Sequence, residues 1–415
     1  MRLTIADRAS GTIRHPPAER RERIGRRIVF GFLLLTSFGA GVTLSILGPT
    51  APAIASRLRV PVADLGVLFT ASFLAATLAT VVCGALYHRV GARVLIPVAL
   101  AALSLGLVGQ GTLTTLPLIA LGAVLAGAGI GIINVYVNAT ATRMYPEWRE
   151  TALTLLGVCF GVGAFLTPLV AGLSLAELGG YRFVYLAGAV TLALPILPLV
   201  RGLAPASESE SAISVAHHET WRVGVGTLLR DRNLRLLMAL TGLYMGAQIG
   251  FGGWAVSIVA AMTHLPVARV TVADSAFWLC QAVGGTCTAL LLRRGASPRR
   301  LIILGSFGAA GGSLALVALG HSAALAVACC ALVGLAFAPI LPLTMALAAS
   351  GDANGSDGPR LAALFTTGQA GAAILPPLQG ALLSTSIALP LWLTAACALG
   401  MAALAGRVKT RHRSS

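Results

Sequence analysis

The sequence predicts an all-α polytopic membrane protein, with twelve transmembrane helices in two pseudo-symmetric six-helix bundles. Three observations carry that expectation. Of 415 residues, 56% are hydrophobic and 11% charged, where soluble domains hold about 45–50% and about 25%. The chain divides into apolar runs of membrane length, each about 20 residues, and with connections of about 15 residues its length accommodates about a dozen of them. The two halves also repeat one another in sequence.

Taken in order, the apolar runs of the first half lie at 28–56, 62–87, 94–113, 116–142, 151–174 and 181–200. Those of the second half lie at 234–260, 268–292, 301–320, 322–349, 361–384 and 386–406. The first run follows a basic N-terminus and carries Ala53-Ile54-Ala55, which resembles a signal cleavage site. Its apolar region far exceeds the roughly 7–15 residues of a signal core, so it is expected to remain as a span. Pro49, Pro52, Pro168, Pro339, Pro342, Pro376 and Pro377 fall within runs and predict kinks, because each removes a backbone donor.

Polar stretches at 1–27, 202–232 and 351–360 separate the runs. The expected organisation is a basic cytoplasmic tail (1–27), an N-terminal bundle (28–201), a cytoplasmic linker (202–232), a C-terminal bundle (233–406) and a second tail (407–415). Ser207-Glu208-Ser209-Glu210-Ser211 in the linker reads as solvated, and 221–230 as an interfacial helix. Of 30 Lys and Arg, 26 fall in the tails and connections on the side of the N-terminus. Only Arg57, Arg59, Arg182 and Arg269 fall on the other. The positive-inside rule therefore predicts both termini in the cytoplasm of a cell (inner) membrane, and it explains the net charge of +16 without nucleic acid.

The repeat is specific. Gly163, Pro168 and Gly172 recur as Gly371, Pro376 and Gly380 at a constant offset of 208. Leu86, Arg89, Gly91 and Ala92 after the second run match Leu290, Arg293, Gly295 and Ala296 after the eighth. The stretch Gly84-Ala85-Leu86-Tyr87-His88-Arg89-Val90-Gly91-Ala92-Arg93 resembles the signature loop of the major facilitator superfamily, G-x-x-x-D-R-x-G-R, with His88 at the acidic position. Gly180-Tyr181-Arg182-Phe183 resembles the family's G-W-R pattern.

Within that superfamily the chain looks most like the fucose-permease and related sugar transporters. The residues that carry this are Gly161-Val162-Gly163 with Pro168, Asn134 and Asn138, Leu243 to Gln248 before Trp254, and Ser275 to Trp278. The resemblance implies alternating access and a gating role for Gly84, His88, Arg89, Gly91 and Arg93. The substitution at His88 sets aside the family's acidic latch.

Polar side chains inside apolar helices are costly unless they find partners or line water, so they are the site candidates. Asn134 and Asn138 share one face of the fourth span and offer amide donors and acceptors; helix-packing hydrogen bonds are the competing role. Tyr244 and Gln248 share a face of the seventh. Asp274, Trp278 and Gln281 form a stripe on the eighth. Gln369 and Gln379 are weaker candidates. Trp254 either anchors at the interface or stacks on a sugar ring.

Of fourteen acids, only Asp274 lies clearly within a span. Thr271-x-x-Asp274 resembles a capping box, which predicts a helix cap at Asp274 and therefore transport without proton coupling. A carrier role for Asp274 in coupling is the alternative.

Enzymatic function is not expected, since H-E-x-x-H, G-x-S-x-G and G-x-x-x-x-G-K-[ST] are all absent. Gly127-Ala128-Gly129-Ile130-Gly131 sits in an apolar run, where small residues serve packing. The seven cysteines show no metal-ligand spacing, so neither metal nor cofactor is expected. The expected function is secondary active or facilitative transport of a small, neutral, sugar-like solute, with solute and lipid bilayer as partners and a monomer as the expected state. Export of an amphipathic metabolite or drug is the alternative, weakened by the missing Gly-Pro antiporter pattern in span five. A receptor that moves nothing is a remote third.

Overall fold

The computed structural model describes residues 17–197, 230–349 and 357–408. The first bundle contains α1 (Pro17–Ser45), α2 (Leu47–Leu58), α3 (Gly66–Val90), α4 (Ala92–Thr112), α5 (Leu116–Met144), α6 (Arg149–Glu177) and α7 (Arg182–Ala193). The second contains α8 (Arg232–Thr263), α9 (Val267–Arg293), α10 (Pro298–Leu319), α11 (Ala323–Phe337), α12 (Ile340–Ala349), α13 (Asp357–Thr385) and α14 (Leu389–Arg407). Among the described residues, eleven helical segments are long and apolar enough to cross a membrane. The sixth span is represented by the shorter α7, and its continuation past 197 lies outside the described residues.

Prolines account for the two broken spans. Pro49 cannot donate to Ser45, and the helix breaks at Ile46 between α1 and α2. Pro339 and Pro342 coincide with the break between α11 and α12. The first helix starts at Pro17, earlier than the apolar run, because Ala18 to Arg23 are good helix formers behind a proline at the first position. The linker at 202–232, with its expected interfacial helix, lies outside the described residues except for 230–232. There Asp231 caps α8 by accepting from the Asn233 and Leu234 backbone and pairs with Arg360 at 2.9 Å.

Helix pairings repeat between the halves. In the first bundle α1 packs on α6, α3 on α5, α4 on α5 and α4 on α7. In the second, α8 packs on α13, α9 on α11, α10 on α11 and α10 on α14. The repeated glycines serve the same contacts. A Cβ on Gly163 would overlap the Phe38 carbonyl of α1, and one on Gly371 would overlap the Gly242 carbonyl of α8. Gly91 and Gly295, paired by the repeat, both take positive φ, 72° and 83°. Gly163→Ala and Gly371→Ala should each cost about 1–3 kcal/mol of stability by forcing backbones apart. Thermal unfolding of the purified variants checks this, and an unchanged midpoint in both would contradict it.

Candidate functional site

Among the described residues, the close backbone approaches between the two bundles gather at one end. At the end where α2 lies, three helix pairs bring backbones together. A Cβ on Gly48 of α2 would sit 2.6 Å from the Gly252 carbonyl of α8. One on Gly66 of α3 would sit 2.8 Å from Pro377 Cα of α13, and one on Gly172 of α6 would sit 2.7 Å from the Ala268 carbonyl of α9. At mid-depth, Thr77 donates to Gln369 across the bundles at 3.1 Å, and a Cβ on Gly161 would lie 3.2 Å from Ala282 Cβ. Further toward the arginine-rich end, the side-chain positions of Gly157 in α6 and Gly285 in α9 have nothing within 4 Å.

In that opened half lies a cavity of about 180 Å³ between α1, α5 and α6. Thr36, Ser37, Asn134, Asn138, Gly157 and Phe160 line it together with apolar side chains, and the lining carries no charged residue. Asn134 and Asn138 are both exposed. The Asn138 amide donates to the Asn134 backbone carbonyl at 2.9 Å, which holds one end of the side chain against its own helix. Thr36, Ser37 and Phe160 are not among the residues singled out from sequence. The signal for the first two was present, as hydroxyls in an apolar run.

Three candidate residues of the second bundle, Tyr244, Gln248 and Gln281, are already paired with one another. Gln248 donates to Gln281 at 3.2 Å, and Gln281 donates to the Tyr244 hydroxyl at 3.2 Å. Gln248 and Tyr244 are buried, while Gln281 is half-buried. This chain adjoins the first bundle at Ala282, beside Gly161 and hence beside the cavity-lining Phe160. The expected stripe on α9 is divided by depth. Trp278 and Asp274 lie toward the α2 end, with Trp278 packed on Gly252 and edge-on to Phe277.

Two expectations are corrected. Asp274 is not a helix cap: α9 begins at Val267 after Pro266, so Asp274 lies two turns inside it, wholly buried. Pro266, extended at the N-cap position with φ −55° and ψ 139°, starts the helix there and overrides the apparent capping box. Neither carboxylate oxygen has a hydrogen bond, and neither does the Trp278 indole one turn on, which is the donor placed to bear on it. Trp254 is neither interfacial anchor nor ring platform. It is 0% exposed, and its indole Nε1 donates to the Pro376 carbonyl at 2.8 Å.

Gln379 is likewise structural, donating to Thr394 at 2.9 Å. Of the expected gating loop, Gly84 lies within α3, the side chains of His88, Arg89 and Arg93 lie outside the described residues, and Gly91 provides the turn.

Comparison with known proteins agrees with this architecture. Residues 33–376 match the Major Facilitator Superfamily. The chain is 24% identical over 136 residues to the mouse (Mus musculus) sodium-dependent glucose transporter 1A, a match that spans 33% of this chain and 32% of that protein. Among solved structures, the nucleoside transporter NupG superposes with a TM-score of 0.75 at 13% identity, covering 93% of this chain and all of that one. The xylose transporter XylE from E. coli, in a partially occluded inward-open conformation, gives 0.71 at 10% identity, covering 94% and 99%. The E. coli fucose:proton symporter FucP gives 0.61 at 16%, covering 93% and 100%.

Proposed function

Since the chain belongs to the Major Facilitator Superfamily of membrane transporters, we propose that it moves a small, neutral, hydroxyl-rich solute by alternating access around the amide-lined cavity. The observation that carries this is the lining itself. Two exposed asparagines, two hydroxyl residues and an aromatic ring surround about 180 Å³ without a fixed charge. Amides supply both donors and acceptors, the complement a hydroxylated solute needs. A phosphate or dicarboxylate would call for cationic partners, which the lining lacks.

The similarity to carriers named for glucose, xylose, fucose and nucleosides supports the same solute class. With 26 of 30 cationic residues on one side, the positive-inside rule makes the open, arginine-rich end cytoplasmic. The conformation described is then inward-facing. We assign ion coupling to Asp274, the acid buried in the seam between the bundles. Intramembrane acids of this kind are functional by default, because burying them is costly.

Flux of labelled hexoses, pentoses, nucleosides and organic anions into oriented proteoliposomes tests the assignment. Saturable transport of a neutral hydroxylated solute, faster with an imposed pH gradient, is expected. Transport confined to an organic anion would overturn it.

A further inference from the structure

The α2 end is closed by more than close-packed glycines. Pro376 and Pro377 stand side by side in α13, which nonetheless continues unbroken from Asp357 to Thr385. Proline lacks a backbone donor, so Pro377 leaves the Ala373 carbonyl without its partner in the helix. That carbonyl is filled from the opposite bundle, because Thr70 of α3 donates its hydroxyl to it at 2.7 Å.

The choice is notable because helical threonines commonly return the hydroxyl to their own backbone four residues back. Thr77 and Thr80 of the same helix both do so, to Phe73 and Ala76 at 2.8 Å, and share the hydroxyl with Gln369 and Gly131 of other helices only at the longer 3.1 and 3.3 Å. The adjacent Phe69 enters the same surface. Its ring lies over Gly253, where a Cβ would overlap it, and packs on Trp254 with centroids 5.7 Å apart. Trp254 is in turn held by the Pro376 carbonyl. Gly66, one turn before Thr70, allows α3 to rest on Pro377 itself.

We propose that Phe69 and Thr70 form a latch that docks on a platform made by Trp254, Pro376 and Pro377, and that Thr70 supplies the hydrogen bond Pro377 removes from α13. The latch belongs to one state of the cycle, since separating the bundles at this end withdraws both side chains together. The tandem proline thus has a role distinct from a hinge: it creates an acceptor that only the closed end satisfies without water. The inference rests on alternating access but not on the identity of the solute.

The test uses the full chain in liposomes with spin labels at Ser56→Cys and His264→Cys. Both sites are exposed at the α2 end, one in each bundle. Cys159, Cys280 and Cys287, the cysteines that are not fully buried, are replaced by serine. Pulsed electron paramagnetic resonance then reads the ratio of long to short distances, and no solute is needed. Failure of the solute assignment therefore leaves this result standing, and failure of the latch leaves the solute assignment standing.

Thr70→Val keeps the shape and removes the donor, so the ratio should rise about tenfold toward the open end. Thr70→Ala should move it in the same direction. Thr70→Ser should restore the parent ratio. In Pro377→Ala the helix regains its own donor to the Ala373 carbonyl. In that background Thr70→Val should change the ratio by no more than about twofold. An unchanged ratio in Thr70→Val and Thr70→Ala, or an equal shift with and without Pro377, would overturn the latch.

Discussion

Asp274→Asn is expected to abolish accumulation of solute driven by a pH gradient, while exchange of labelled for unlabelled solute continues. Asparagine preserves the size of the side chain and removes its ability to change charge. Coupling needs a titratable group whose surroundings differ between the two facing states. Asp274 meets that condition by position. It is wholly buried without a hydrogen bond, and its Oδ2 lies 3.5 Å from where a Cβ on Gly48 of the other bundle would be. Opening the α2 end would draw Gly48 away and admit water to the carboxyl group.

Exchange requires only that the loaded carrier reorient, so it should survive. Counterflow and pH-jump uptake in the same proteoliposomes separate the two activities. Gradient-driven accumulation that persists in Asp274→Asn would remove Asp274 from coupling altogether.

The second large effect is expected in the cavity. Asn134→Ala and Asn138→Ala should each lower flux about tenfold to a hundredfold, since a site built for a hydroxyl loses about 1–3 kcal/mol for each partner removed. Both side chains are exposed in the cavity, so thermal stability should change little. Gln248→Ala should behave differently. Gln248 is only 6% exposed and its donor satisfies Gln281, so its loss should lower stability together with flux. Measuring initial rates and melting midpoints side by side distinguishes these patterns. Equal destabilisation by Asn138→Ala and Gln248→Ala would mark the asparagines as packing residues.

Much of the architecture was legible because the forces behind it are periodic or local. Bilayer thickness sets run length, and the repeated glycines mark the same backbone contacts twice. The site was legible only in part. Asn134 and Asn138 stand out as polar pairs on an apolar helix, and the structure brings them to one cavity. What the sequence could not convey is depth along a helix. Asp274, Trp278 and Gln281 share a stripe by spacing, yet the first two lie toward the α2 end, Asp274 against Gly48 of the other bundle, and the third beside the opened half.

Asp274 also shows a local pattern misleading: Thr271 and Asp274 imitate a cap, but Pro266 starts the helix earlier. Trp254 near a span end resembles an anchor until its carbonyl partner, 122 residues away, is known. Thr70 carries no signal of its own, because its partner is created by a proline in the other bundle.

Labelling of Gly157→Cys tests the central claim most directly. Gly157 lines the cavity and has open space at its side-chain position, so a cysteine fits without displacing a neighbour. A membrane-impermeant thiol reagent is applied from each side of sealed vesicles, with and without the solute found to be transported. The account predicts reaction from the arginine-rich, cytoplasmic side, with protection by the solute. Reaction confined to the opposite side, or labelling indifferent to the solute, would contradict it.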